Sequence, residues 1–184
     1  MPEAQLVSKD QVTEDLMIIK LECVGNQFTF KPGQYCTLGI QGIERAYSIA
    51  SSPHQEYLEI FVELVKDGEL TPKIWELSLG DKVSIRPRAK GIFTLKSDYK
   101  HHVMVATVTG VSPYVSMIRN HLNSNVPMEH TFYVLLGASY CDELVYDQEL
   151  QSLSELHPDI VKFVPTVSRP NEPRNDNWSG LTGR

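Results

Sequence analysis

From residue 15 to residue 95, apolar and polar positions alternate in short runs broken by turn residues, which is the pattern of half-buried strands. The clearest runs are 17–21, 35–40, 45–50 and 58–65, and strands at that spacing predict a small antiparallel barrel. One segment breaks the alternation. Thr71-Pro72 offers a capping hydroxyl and a helix-starting proline, Ile74, Trp75, Leu77 and Leu79 follow, and Gly80-Asp81 ends the run. A helix is therefore predicted, with Thr71 as its N-cap, plugging one end of the barrel.

After the polar stretch 96–102 the pattern changes. Apolar strands at 103–107, 132–137 and 160–165 alternate with helical segments at 113–122 and 142–156, as in a parallel α/β sheet. Two domains are expected, an antiparallel β-barrel over 1–97 and an α/β parallel-sheet domain over 98–184. Doubly wound nucleotide-binding sheets usually have about five or six strands. Three strands predict an incomplete, truncated second domain with a sheet edge and an apolar face uncovered.

Composition narrows the function classes. A chain of 184 residues, 41% hydrophobic and 22% charged, has the make-up of a folded protein. Its net charge of −6 argues against a general nucleic-acid binder, which needs a dense basic surface. The N-terminus lacks a basic and apolar leader, and no apolar run approaches the ~20 residues of a membrane span, so a cytoplasmic protein is expected. Cys23, Cys36 and Cys141 are odd in number and far apart, which predicts buried free thiols. The histidines show no metal-ligand spacing: His101 and His102 are adjacent and point apart, and His54, His121, His130 and His157 stand alone. No metal site is expected. Gly110-Val111-Ser112-Pro113 sits where a nucleophile elbow would, but it lacks the second glycine.

The segments with chemical potential are Phe30-Lys31-Pro32-Gly33-Gln34, Arg45-Ala46-Tyr47-Ser48, the run 58–64, Gly68-Glu69-Leu70-Thr71 and Gly91-Ile92-Phe93. On a strand Arg45 and Tyr47 project from one face, so a cation for a phosphate stands beside a ring that can lie along another ring. Together these segments resemble the F-x-P-G-Q, R-x-Y-S, G-x-L-[ST] and G-x-F signatures of the ferredoxin–NADP reductase superfamily of flavoproteins. The resemblance implies that Arg45 pairs with the flavin phosphate. It implies that Tyr47 packs on the isoalloxazine and Ser48 hydrogen-bonds near its N5, which makes these two the catalytic candidates. Strict alternation would turn Ser48 away, so the strand is expected to bend or end there. Ala46, Phe61, Val62, Glu63, Leu64, Glu69, Leu70, Thr71 and Thr109 complete the implied flavin site, with Thr71 as both cap and phosphate ligand. FAD is the implied cofactor and FMN the alternative.

Thr107-Val108-Thr109-Gly110-Val111-Ser112-Pro113 stands where the family has a T-G-T-G-x-x-P-type turn, with Val108 in place of the first glycine. Gly137-Ala138-Ser139-Tyr140, Thr166-Val167-Ser168-Arg169 and Gly183-Arg184 are similar to its further dinucleotide loops, although Ser139 stands where many NADP-specific members have arginine. The implied NADP(H) residues are Thr107, Thr109, Gly110, Pro113, Ser139, Ser168, Arg169 and Arg184, with NAD(H) left open. The family's C-terminal C-G-x-x motif has no counterpart here. The function implied is a flavin-dependent oxidoreductase passing electrons between NADP(H) and a ferredoxin or flavodoxin. The basic run Arg86, Arg88 and Lys90 is expected to steer that acidic carrier. The chain as given is expected to keep flavin yet turn over little NADPH. The alternative is a flavin-binding electron-transfer module of a multi-subunit complex without nicotinamide chemistry of its own.

Overall fold

The computed structural model describes residues 2–25, 28–124 and 130–183. Six strands, β1 (Glu3–Gln11), β2 (Leu16–Cys23), β3 (Tyr35–Ile40), β4 (Ile43–Ser48), β5 (Leu58–Glu63) and β6 (Lys82–Ile85), form an antiparallel sheet in the order β4-β3-β6-β1-β2-β5. Its two ends meet: Ile49, just past β4, bridges to Ile60 of β5, and the Ala50 N–H donates to the Glu59 carbonyl at 2.8 Å. That bridge closes the sheet into a barrel around Leu6, Met17, Ile19, Leu38, Ile60 and Ile85. Neither β1 nor β6 stood out in the hydrophobic pattern. β1 alternates only through Ala4 and Leu6 before a bulge and a polar second half, and β6 is four residues long.

Helix α1 (Thr71–Glu76) buries Ile74 in the barrel core, but its ends differ from the prediction. Thr71 is not the cap. The N-cap residue is Leu70, without a side-chain cap, while the Thr71 hydroxyl accepts the Val65 N–H at 2.9 Å and donates to the Val65 carbonyl at 3.1 Å. The helix also stops before Leu79, which is 67% exposed. The Lys9 ammonium donates to the Trp75 and Leu77 carbonyls at 2.5 and 2.9 Å, satisfying from β1 the acceptors that a longer helix would have used.

The second sheet is wholly parallel, in the order β10-β9-β8-β7, from β7 (His101–Thr107), β8 (Thr131–Ala138), β9 (Val161–Val167) and β10 (Leu181–Thr182). The short fourth strand was not foreseen. Helices α2 (Ser112–Asn123) and α3 (Asp147–Leu156) contribute Val115, Ile118 and Leu150 to the core holding Met104, Phe132, Val134 and Leu136. On the opposite face Val103 and Val105 are 71% and 64% exposed. α3 starts five residues later than predicted, because the Glu143 carboxylate accepts the Ser139 and Tyr140 N–H groups at 3.0 and 3.1 Å and buried Leu144 leaves helical geometry.

The second core runs into the barrel, taking in Leu16, Ala50 and Phe61. Gly33, at φ +94°, lies in the same seam: a Cβ there would stand 1.9 Å from the Phe93 carbonyl oxygen and 2.4 Å from Met117 Cε. Only glycine permits both the turn and the contact. The Gln34 amide donates to the Gly91 carbonyl at 3.0 Å, so the F-x-P-G-Q segment fastens the barrel's last loop beneath α2.

Two of the histidines expected to stand alone, His121 and His130, do not. His102, His121 and His130 pack around Phe132, with ring centroids 5.1–5.4 Å apart for the closest pairs. Sequence separation hid this cluster. His102 Nε2 lies 3.1 Å from His130 Nδ1, and the buried His121 Nε2 has no partner among the described residues. Burial, then the neighbouring imidazoles, hold His102 and His121 below their usual value. Among the described residues no group of three ligand-type side chains is placed to hold a metal. All three cysteines are free. Only Cys36 is fully buried, with its thiol pushed up to about 12 by desolvation, while Cys23 and Cys141 are half-buried.

A histidine held neutral in the fold is protonated first in the unfolded chain, so its stabilising effect is present above the ordinary value of 6.5 and is lost as pH falls below it. The thermal midpoint should drop as pH falls below 6.5, and His121→Phe should flatten part of that slope. An equally steep slope in the variant would show that His121 is not held neutral.

Candidate flavin and dinucleotide clefts

A cleft of about 460 Å³ opens where β4, β5, the turn before α1 and the turn before α2 meet. β4 brings Arg45, Ala46, Tyr47 and Ser48 to it, and β5 brings Phe61 and Glu63. β4 ends at Ser48, which is how Ser48 shares a wall with Tyr47 despite strand alternation. Glu69, Leu70 and Thr71 form the next wall, and Thr109 closes it from the second domain. Two expected residues are elsewhere: Val62 points into the barrel core, as alternation beside Phe61 requires, and Leu64 is not on the wall. Val65, Gly68, Gly110 and Ser112 line the cleft without having been assigned to it. Gly68 lay inside a matched motif, so the signal for it was present.

Arg45 donates from Nη2 to Glu69 at 2.8 Å and from Nη1 to the Glu44 carbonyl at 2.8 Å. The pair is exposed, 54% and 67%, and such pairs contribute about 0–1 kcal/mol, so Arg45 can exchange Glu69 for a phosphate at little cost. Burial pushes the half-buried Tyr47 phenol up to about 12, against the lowering effect of Arg45. The ring is therefore neutral at ordinary pH. The Ser48 hydroxyl has no hydrogen bond among the described residues and lines the cleft. The Ser112 hydroxyl is buried and donates to the Thr109 carbonyl at 2.8 Å, which bolts the turn together.

A second cleft, about 800 Å³, lies at the carboxyl ends of the parallel strands. Thr107, Ser139 and Ser168 line it, with Val108, Gly137, Thr166 and Leu181. The other expected dinucleotide residues are distributed differently. Thr109 and Gly110 face the first cleft, and Pro113 is buried in the first turn of α2. Arg169 is off the wall, donating to the Tyr140 hydroxyl at 3.0 Å and pairing with Glu172 at 3.4 Å. Arg184 lies outside the described residues. The two clefts share one divider: Thr107 and Val108 wall the second, and Thr109 and Gly110 wall the first. Val108, standing where a glycine would, holds φ at +42°, a left-handed conformation that costs an L-residue roughly 1–2 kcal/mol.

The family model of an oxidoreductase FAD-binding domain matches residues 3–93, and that of an oxidoreductase NAD-binding domain matches residues 104–184. The chain belongs to the ferredoxin–NADP reductase-type flavoproteins. The flavodoxin/ferredoxin–NADP reductase of Buchnera aphidicola is 33% identical over 70% of this chain and 53% of that protein. The phenol hydroxylase P5 protein of Acinetobacter pittii is 33% identical over 84% of this chain and 43% of that protein. The chain thus spans about half the length of these curated relatives. A ferredoxin NADP+ reductase from Neisseria gonorrhoeae with bound FAD and NADP superposes with a TM-score of 0.82 at 26% identity, over 99% of this chain and 72% of that one.

The first cleft has a donor set suited to FAD: a guanidinium whose charged partner is an exposed carboxylate, a neutral tyrosine ring and a serine hydroxyl open to the cleft. Arg45→Ala should weaken FAD binding about ten- to a hundredfold, the worth of one charge-assisted phosphate contact. Glu69→Gln should leave binding unchanged or tighter. Fluorescence titration of FAD checks both, and full affinity in Arg45→Ala would remove the phosphate role from Arg45.

Proposed function

We propose that this chain is the flavin- and dinucleotide-binding part of a cytoplasmic reductase that moves electrons between NADP(H) and a ferredoxin- or flavodoxin-type carrier, with its domains dividing near residue 98. The observation that carries the reading is the shared divider, since Thr107–Gly110 walls the dinucleotide-side cleft on one side and the FAD cleft on the other. Bound FAD would supply the conversion between two-electron and one-electron chemistry. This chain's residues bind and orient. Arg45 takes the phosphate on leaving Glu69, Tyr47 lies along the ring, and Ser48 presents its hydroxyl to the reacting edge. Thr107, Ser139 and Ser168 receive the dinucleotide, whose approach Gly110 leaves open and Pro113 fixes by starting α2.

NADP is favoured over NAD through Arg169, which can meet a 2′-phosphate once it leaves Glu172. For the carrier, Arg86 is already engaged: its guanidinium holds Glu44 at 2.5 Å and keeps that carboxyl below its usual range. Arg88 and Lys90 are then the residues left to attract an acidic partner. The names of the relatives support a reductase of this kind.

A second reading, a flavin-binding electron-transfer module of a multi-subunit complex without nicotinamide chemistry of its own, is favoured by Val108 in the dinucleotide turn and by the likeness to the phenol hydroxylase P5 protein. Anaerobic mixing of the FAD-loaded chain with NADPH or NADH separates the two. Slow bleaching of the flavin by NADPH, still faster than by NADH, is the expected result, since this chain spans only about half the length of its relatives. A flavin reduced by dithionite but by neither nucleotide would favour the second reading.

A further inference from the structure

Arg119, on the middle of α2, lines neither of those clefts, yet every nitrogen of its guanidinium is engaged. Nη1 donates to Glu59 Oε1 at 2.7 Å and to the Ala50 carbonyl at 3.1 Å. Nε and Nη2 donate in parallel to the two Glu149 oxygens, each at 2.7 Å. Glu59 also accepts the Tyr146 hydroxyl at 3.0 Å and lies 3.8 Å from the Lys20 ammonium. One turn before Arg119, the buried Ser116 hydroxyl donates to the Ser51 carbonyl at 2.6 Å. Ala50, Ser51 and Glu59 belong to the barrel, whereas Arg119, Ser116, Tyr146 and Glu149 belong to the second domain.

Placement connects this bridge to the FAD cleft. Arg119 and Ser112 are two helical turns apart on one face of α2, and Glu59, Phe61 and Glu63 alternate onto one face of β5. Two rails therefore run side by side, bridged at one end and enclosing the cleft at the other, where Phe61, Glu63 and Ser112 stand on its wall. We propose that Arg119 is a positioning residue: by joining Glu59 to Glu149 it fixes α2 against β5 and so sets the width of the FAD cleft. The inference rests on the reading of that cleft as the FAD site. Burial disfavours the charge on Arg119, but Glu149 and Glu59 outweigh it, and burial beside Glu59 keeps Tyr146 protonated as a donor.

The test is Arg119→Lys, which keeps the charge but cannot span three acceptors. Hydrogen exchange of the flavin-free chain should show α2 amides exchanging about tenfold faster or more while β1 and β2 keep their protection. FAD titration should show affinity weakened about tenfold, since a small displacement of one wall loosens several contacts together. Unchanged exchange in α2 with unchanged FAD affinity would overturn the proposal. Should protection be lost throughout the lysine variant, Glu59→Gln, which preserves volume and removes the charge, decides by the same two readouts, and wild-type values in it overturn the proposal. A wild-type chain that takes up no FAD would overturn the cleft reading instead, and α2 exchange would still judge the bridge.

Discussion

Glu59 is 4% exposed on the outward face of a barrel strand, and a carboxylate that deep costs several kcal/mol unless it is paired. Its partners come largely from the other domain. Arg119 and Tyr146 supply the close donors, with Lys20 of the barrel farther off. The barrel therefore cannot satisfy its own surface without the second domain lying against it in one register. A buried ion pair of this kind is weak evidence for stability, since apolar residues of equal volume often serve as well. Its contribution is directional, because a guanidinium fork shared between Glu59 and Glu149 accepts few geometries.

The apolar contacts follow the same line. Along β5, Leu58, Ile60 and Val62 fill the barrel, while Phe61 joins the core that Val115, Met117 and Ile118 build beneath the parallel sheet. One strand thus writes two cores on its two faces, and the face turned to the second domain carries in succession a charge, a ring and a cleft-lining acid. Phe61 packs edge-on to Tyr146 at 5.7 Å, so the residue that donates to Glu59 also seats the aromatic at the base of the cleft. Gly33 and Met117 close the other end of the seam.

Motifs confined to adjacent positions were legible in the sequence. Arg45, Tyr47 and the Gly68–Thr71 turn could be read as one cleft because a strand and a turn fix their directions locally. Val62 and Leu64 fall off the cleft wall because the reading took consecutive residues of a strand without applying its alternation. Helix ends were misread where a side chain took over backbone groups: Lys9 reaches the end of α1 from β1, and Glu143 delays α3 by taking backbone donors three and four residues before it. Glu59 carries no signal of its own within the run 58–64. Its partner lies 60 residues away, and nothing in either neighbourhood marks the pair. The histidine cluster was hidden for the same reason.

Val108 shows the limit of reading residues instead of conformations. The replacement of a motif glycine by a β-branched residue argues, from sequence, for a remodelled turn, because valine strongly disfavours positive φ. The turn is nevertheless held at +42°. Its neighbours explain this: the Ser112 hydroxyl ties back to the Thr109 carbonyl, β7 is locked in parallel register to β8 through Thr107, and Val108 and Val111 pack into the core shared by both domains. A strained backbone persists only where its surroundings over-determine it. The backbone path between the two clefts is therefore set by the packing on either side, and the residue at 108 tolerates that path without specifying it.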